Sequence, residues 1–276
     1  MTAILPRLSV VIPSYNQGEF IERTIVSIIE QNYPNLELIL MDGGSTDATM
    51  AIVERYRHHF AHIQSAPDGG QSAAIANGFE IATGAFMSWL NSDDTYNPGA
   101  LLAIGRHLAE HPKIRFIYGN MNLIDANDKV IAHKRSAQFV YGVMKYAFLT
   151  VPQMSAFWSK SLYEDAGKVD AHLRFCMDYD LFVRMSGLSA PMQIDATIGN
   201  FRIHGSSKTA TMESVRQSED DLIHARYCSI KPQHKWAFAI ARKFWFLVLC
   251  GLLIANGSFF ERVAGRLRNN MQSECS

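Results

Sequence analysis

Four short stretches of this 276-residue chain place carboxylates, amides and an aromatic ring directly after runs of apolar residues. They are Pro13-Ser14-Tyr15-Asn16, then Asp42, then Asp68-Gly69-Gly70-Gln71, then Asn91-Ser92-Asp93-Asp94. In an open α/β sheet, ligands bind at the carboxyl ends of the strands, where the loops leave. One strand-end Asp is commonly a helix cap, but four successive polar strand ends describe a single polar crevice. No G-x-x-x-x-G-K-S/T occurs, and no G-x-G-x-x-G follows the first strand, which argues against a P-loop and a dinucleotide cradle. A crevice with several carboxylates and no glycine-rich cradle would repel a diphosphate, so such a ligand needs a divalent cation between the charges. Mg²⁺ or Mn²⁺ suits oxygen ligands of this kind, and Asp93-Asp94 is the natural place for it.

The elements that must hold these residues are readable from hydrophobic period. Leu8 to Ile12 is a continuous apolar run stopped by Pro13, as expected of a central strand buried on both faces. Phe20, Ile21, Ile25, Ile28 and Ile29 fall at helical spacing within 18–31. A second strand over 36–41 is followed by Ser45 and Thr46, which can cap a helix running to about His59. A short strand near Ile63, a helix over 71–83 and a strand over 85–90 continue the alternation. Strands alternating with helices imply right-handed βαβ units and a mostly parallel sheet flanked by helices. Beyond Pro98 the pattern loosens into a helix over 100–110, a strand over 116–124, a hairpin turn at Asn127-Asp128 and mixed elements to about His204.

Composition sets the outer limits. Hydrophobic residues make up 48% and charged residues 19%, enough apolar surface for a full core and too much for a disordered or collagenous chain. The 26 Lys and Arg balance 26 Asp and Glu, which weakens any case for bulk nucleic-acid binding. From residue 230 onward, however, seven basic residues face only two acidic ones, and such asymmetry suggests a tail with its own partner. Cys176, Cys228, Cys250 and Cys275 form no C-x-x-C pair, so neither a zinc ribbon nor a redox motif is indicated and a reduced, cytoplasmic setting is expected. Arg7 and Pro13 interrupt the N-terminal apolar residues, so no secretory signal is read there.

Six motifs, in order, carry a resemblance: V-V-I-P-S-Y-N at 10–16, D-G-G-S-T-D at 42–47, D-G-G-Q-S at 68–72, W-L-N-S-D-D at 89–94, M-D-Y-D-L at 177–181 and F-R-I-H at 201–204. The chain resembles family 2 glycosyltransferases of the GT-A fold, in the branch whose acidic motif reads W-L-N-S-D-D. The resemblance runs from Val10 to about Ser207 and implies a Rossmann-like fold; with no internal repeat or low-complexity linker, residues 1–229 read as one domain, with a nucleotide-binding half (1–97) and an acceptor-side half (98–229). It also implies a metal-dependent, inverting transfer of sugar from a nucleotide-diphosphate sugar to a hydroxyl of a glycan or lipid-linked acceptor, in bacterial cell-surface polysaccharide synthesis. Pro13, Tyr15 and Asp42 would hold the nucleoside, with Tyr15 against the base and Asp42 accepting from base or ribose. Asp68 and Gln71 would lie near the ribose and diphosphate. The family's D-x-D falls on Asn91-Ser92-Asp93-Asp94, so its first carboxylate is an amide here; Asp94 is expected as metal ligand and Asp93 at the ribose or metal.

The same resemblance makes Asp178 the general base, matching an acidic pair that opens a helix. A positioned base contributes roughly 10²- to 10⁴-fold. His204 matches a histidine that reaches the metal or the diphosphate, while Arg202, Ser206 and Lys208 would touch phosphate or be solvated. Gln153 and Trp158, in V-P-Q-M-S-A-F-W, match an acceptor-side segment, with core packing as the other reading of Trp158. Asp180 has a partner of its own in Arg184, four residues on. The Asn at 91 keeps open a nucleotide-sugar-binding protein with impaired catalysis.

The tail, 230–276, differs in kind. Its longest unbroken apolar run, 244–255, holds twelve residues, too short at 1.5 Å per residue for a bilayer core of about 30 Å. Phe259, Phe260, Val263 and Leu267 with Arg262, Arg266 and Arg268 form a basic amphipathic pattern. A helical hairpin in the interface of the inner face of the cell membrane is expected, against a helix pair packed on the domain or in a dimer interface.

Overall fold

Leu8–Ser14 (β1) is buried along its whole length, because successive side chains of a strand point to opposite faces and both faces are covered. Val11 joins one core cluster with Ile39, Trp89 and Phe182, whereas Leu8, Val10 and Ile12 join another with Ile21, Ile25 and Leu101. In the computed structural model, which describes residues 4–205, 211–255 and 257, β1 pairs in parallel with β2 (Leu36–Asp42) and β4 (Phe86–Trp89). The strand β3 (His62–Ser65) pairs in parallel with β2. This parallel block supplies the loops on which the first three polar clusters and Asn91–Asp94 sit.

The sheet continues in the order β3-β2-β1-β4-β8-β6-β9-β5, with β7 paired to β6. Here β5 is Thr95–Tyr96, β6 Phe116–Ile124, β7 Val130–Lys134, β8 Ala156–Ser159 and β9 Met192–Arg202. The β4–β8, β8–β6, β6–β7 and β5–β9 pairings are antiparallel, while β6–β9 is parallel. Parallel pairing thus dominates the first half and gives way to a mixed sheet in the second. The short β5 matters most, since Thr95 lies opposite Asn200 and holds the end of β9 beside Asp93-Asp94.

On one face lie α1 (Ile21–Ile29) and α4 (Ala100–Glu110), whose apolar sides build the cluster around Leu8 and Ile12. The helices α3 (Gln71–Ile81), α6 (Lys160–Asp165) and α7 (Met177–Leu188) cover the other. A Cβ on Gly78 would lie 2.5 Å from Val11 Cγ1, so glycine there lets α3 approach β1 closely. The helix expected from Ser45 begins only at Thr49, as α2 (Thr49–Arg55). Ser45 and Asn16 are occupied in tying two loops together, and Asp47 Oδ1 accepts from the Thr49 N–H at 2.9 Å.

The C-terminal part adds α5 (Tyr141–Tyr146), α8 (Glu213–Tyr227) and α9 (Lys235–Ala255). Rather than breaking at Arg242-Lys243, α9 runs unbroken for 21 residues and is long and apolar enough to cross a membrane by length and composition. One side packs on the domain: Leu249 and Leu253 join Val143 and Ala147, and Trp245 lies over Gly142. The second half of the expected hairpin, 258–276, lies outside the described residues, as do Ser206 and Lys208.

Candidate active site

The polar strand ends converge on a crevice of about 610 Å³ lined by Pro13, Tyr15, Asp68, Gln71, Asp93, Gln153 and Asp178. These residues come from both halves of the chain. A second cavity of about 650 Å³, around Asn120, Arg135 and Asp195, contains none of the residues picked out by sequence.

Loop-to-loop hydrogen bonds build the end of the crevice that carries Tyr15. Asn16, in the left-handed region at φ 51°, donates its N–H to Ser45 Oγ at 2.7 Å and accepts from the Thr46 N–H at 2.9 Å. Gln17 and Gly18 donate to Thr49 Oγ1 and Asp47 Oδ2 at 2.8 and 2.9 Å. The loops after β1 and β2 are thereby sewn together, leaving Tyr15 60% exposed on the crevice wall. A Cβ on Gly43 would lie 3.3 Å from both Tyr15 Cδ2 and Asp68 Oδ1, so a glycine there lets the two side chains draw together.

Asp42 departs from expectation. Only 2% exposed, its carboxylate accepts from the Gly44 and Ser45 N–H groups, the Ser45 hydroxyl and the Ser65 hydroxyl at 2.5–3.1 Å. It braces its own turn instead of facing a base or ribose. Asp68 stays at the crevice, where Oδ1 accepts from the Gly70 N–H at 2.7 Å and forms the turn into α3.

In the acidic motif one carboxylate is buried and the other faces the crevice. Asp94, the expected metal ligand, is 1% exposed; it accepts from the Arg202 N–H at 2.9 Å and the Asn91 amide at 3.3 Å. Burial, then the charge of Asp93, push its pKa well above the usual range. Its backbone oxygen accepts from Thr24 Oγ1 at 2.7 Å, so Asp94 joins α1 to the end of β9. Asn91 serves this arrangement, since its Oδ1 accepts from Gln71 Nε2 at 2.7 Å while its NH₂ donates to Asp94. An aspartate there would add a like charge and lose that donor.

The carboxylate facing the crevice is Asp93, whose Oδ2 lies 3.1 Å from His204 Nε2. The His204 ring packs on Phe20, centroids 4.6 Å apart. Among the described residues no group of three or more His, Cys, Asp or Glu is placed to hold a metal ion. Asp93 and His204 together offer a carboxylate and an imidazole, two donors that could hold a divalent ion. Arg202, expected at a phosphate or in solvent, is buried as a clamp. It donates to the Asp93 backbone oxygen and to Asp128 Oδ1, both at 2.6 Å.

Of the residues expected on the acceptor side, Asp178 opens α7 and lines the crevice with Phe175 and Met177. Burial raises its pKa to about 6; the Tyr179 N–H, 2.8 Å from Oδ1, opposes the rise, and the charges of Asp220 and Glu219 add to it. Gln153 lines the same crevice and donates Nε2 to the Trp89 oxygen at 2.7 Å. Trp158 is a core residue, not an acceptor platform: it is 0% exposed and meets Phe79, Trp89, Phe116 and Phe182 edge-on. Asp180 is also structural, bonded to Arg184 Nε at 2.9 Å and to Tyr227 Oη at 2.8 Å. Sequence reasoning passed over Phe175. It is an ordinary apolar residue, and only its closeness to Asp178 could have marked it.

A family model described as glycosyl transferase family 2 matches residues 9–163. An uncharacterized glycosyltransferase of Rickettsia prowazekii is 24% identical over 233 residues, covering 79% of this chain and 70% of that protein. The putative teichuronic acid biosynthesis glycosyltransferase TuaG of Bacillus subtilis is 34% identical over 106 residues, 37% of this chain and 41% of its own length. Among solved structures, S. aureus TarS 1-349 in complex with UDP-GlcNAc superposes with a TM-score of 0.63 at 17% identity. That match covers 82% of this chain and 74% of TarS 1-349, and it is a likeness of fold.

Proposed function

Because the chain belongs to glycosyl transferase family 2, we propose that it moves a sugar from a nucleoside-diphosphate sugar to an acceptor hydroxyl with inversion at the anomeric carbon. The observation carrying this reading is that Asp178, with its pKa near 6, and the Asp93–His204 pair line or border one crevice. A base ionised just below neutral pH retains most of its proton affinity at working pH, the condition that favours general-base catalysis.

Tyr15 offers an aromatic face for the base. The N-terminal end of α3, which begins at Gln71, carries the positive end of the helix dipole and favours a diphosphate nearby. Asp178 takes the proton of the acceptor hydroxyl as its oxygen forms the new bond to the anomeric carbon. The bond from that carbon to the diphosphate breaks on the opposite side, and the electron pair leaves with the nucleoside diphosphate. Asp93 and His204 would hold a divalent cation, Mn²⁺ or Mg²⁺, which supplies Lewis-acid stabilisation of the leaving diphosphate. Gln153, on the same crevice wall, would orient an acceptor hydroxyl.

TarS binds UDP-GlcNAc, which makes uridine-diphosphate sugars the first donors to test. TuaG is named for teichuronic acid biosynthesis, which favours a cell-surface polysaccharide or its lipid-linked precursor as acceptor. The outer side of α9 supports work at the inner face of the cell membrane. Trp236, Ile240, Phe244 and Leu247 are 76, 59, 56 and 68% exposed, next to Lys235, Arg242 and Lys243, a combination suited to an anionic lipid surface.

The test is release of nucleoside diphosphate from a panel of uridine-, guanosine- and thymidine-diphosphate sugars, with chelator and with restored Mn²⁺ or Mg²⁺. Metal-dependent release from one class is expected, with a product of inverted anomeric configuration by NMR. A chelator-insensitive enzyme would remove the metal, and a retained configuration would remove the single-base mechanism.

A further inference from the structure

The segment bearing Asp178 is held from behind by a residue far away in sequence. Three consecutive backbone N–H groups, of Arg174, Phe175 and Cys176, point at one carboxylate. It belongs to Glu219 on α8, which is 9% exposed. Oε1 accepts from Arg174 at 2.7 Å, and Oε2 accepts from Phe175 at 3.0 Å and Cys176 at 2.8 Å. The chain enters α7 immediately afterwards, with Phe175, Met177 and Asp178 turned to the crevice. Two oxygens accepting three donors leave the entry to the helix little freedom, and a negative charge beside a helix N-terminus is favourable. Glu219 lies outside residues 9–163, which the family model matches.

We propose that Glu219 is a positioning residue for transfer: by holding the N–H groups of 174–176 it fixes where the Asp178 carboxylate stands against the acceptor hydroxyl. This rests on the reading of Asp178 as the base. A displacement of about 1 Å at a reacting group can cost on the order of 10²-fold in rate, so the role belongs in kcat and not in donor binding, which uses the loops of β1, β2 and α3. Glutamine keeps the length of Glu219 but offers one acceptor oxygen and turns an NH₂ toward three donors, so the cradle cannot be kept whole.

The electrostatic surroundings supply a second readout. Asp178 faces Glu219 and Asp220 from α8 and Cys176 on its own segment, with Asp68 and Asp93 on the same crevice. Arg216 Nη1, 3.0 Å from Asp220 Oδ2, offsets part of this charge. Asp220→Asn removes a like charge without touching the three N–H groups, and Glu219→Gln removes one together with the cradle.

The experiment compares full-length wild type, Glu219→Gln, Asp220→Asn and Asp178→Asn with whichever donor sugar nucleotide the panel identifies. It reads kcat, donor KM, the acidic limb of the pH–rate profile and the NMR titration of the Asp178 carboxyl carbon. For Glu219→Gln, kcat is expected to fall at least tenfold with donor KM within twofold, and the Asp178 titration to move to lower pH. Asp220→Asn should show the titration shift with kcat within about twofold of wild type. If Glu219→Gln retains wild-type kcat, or loses donor affinity in proportion to rate, the positioning role is overturned. A variant too unstable to assay would be replaced by Glu219→Asp, which keeps the charge on a shorter arm; wild-type kcat there would equally overturn it. Full turnover by Asp178→Asn would overturn the base assignment itself, a separate result.

Discussion

At pH 7 a carboxylate with its pKa near 6 is ionised where its surroundings disfavour the charge, and the native state bears the cost. The folded pKa of Asp178, about 6, lies above the ordinary aspartate value of 3.8. Between those pH values the native state binds the proton that the unfolded chain releases, so stability falls as pH rises from about 4 to 6. The penalty above pH 6 has a ceiling of about 3 kcal/mol at 1.36 kcal/mol per unit. Asp178→Asn is therefore expected to be more stable than wild type at pH 7.5, with the gain shrinking as pH falls from 6 to 4. Urea unfolding across that range checks it, and a pH-independent difference would argue against it. Asp93→Ala or His204→Ala is expected to weaken Mn²⁺-supported turnover at least tenfold and raise the Mn²⁺ concentration needed for half-activity. Titration of activity with Mn²⁺ measures this. The motifs located the crevice residues Pro13, Tyr15, Asp68, Gln71, Asp93, Gln153 and Asp178 but could not orient every side chain. Asp42, Asp94 and Trp158 lie beside the site and face into protein, because Ser65, Arg202 and Phe182 arrive from other elements to meet them.

Among the elements, the far end of the sheet has its own electrostatic pin. Glu37, 5% exposed, accepts from the Ser9 hydroxyl, from the N–H and hydroxyl of Thr83 at 2.7 and 2.6 Å, and from Arg7 at 2.9 Å. Burial alone would raise its pKa, but these bonds outweigh it and bring the pKa down to about 2 from 4.5. A carboxylate depressed in this way stabilises the fold above the unfolded pKa and loses that contribution as pH falls toward 2. Glu37→Gln is expected to cost about 2 to 3 kcal/mol at pH 7 and progressively less below pH 4, by denaturant unfolding. Long periodic elements such as α4 and β6 were legible to their ends, since 11 and 9 residues of one pattern leave little choice. The two-residue β5 and four-residue β8 were not, because their existence depends on pairing with β9, β4 and β6 and not on any local pattern.

For the whole molecule, the neutral total of 26 basic and 26 acidic residues conceals an acidic catalytic body joined to a basic, apolar C-terminal part. That division was visible in the sequence, but the form of α9 was not. Arg242-Lys243 interrupts the apolar run without interrupting the helix, because one side of α9 is fixed by packing on α5. Phe244 and Leu247 are exposed on the other side, so Phe244→Glu with Leu247→Glu is expected to leave unfolding within about 0.5 kcal/mol of wild type. The same pair is expected to lower binding to vesicles containing phosphatidylglycerol at least tenfold in a sedimentation assay. Undiminished sedimentation would move the membrane contact elsewhere. The central claim, that Asp178 is the base of a transfer from a nucleotide sugar, is tested most directly by comparing Asp178→Asn with wild type in single-turnover transfer at saturating donor. The account predicts a rate lower by roughly 10²- to 10⁴-fold with donor affinity retained; transfer at the wild-type rate would contradict it.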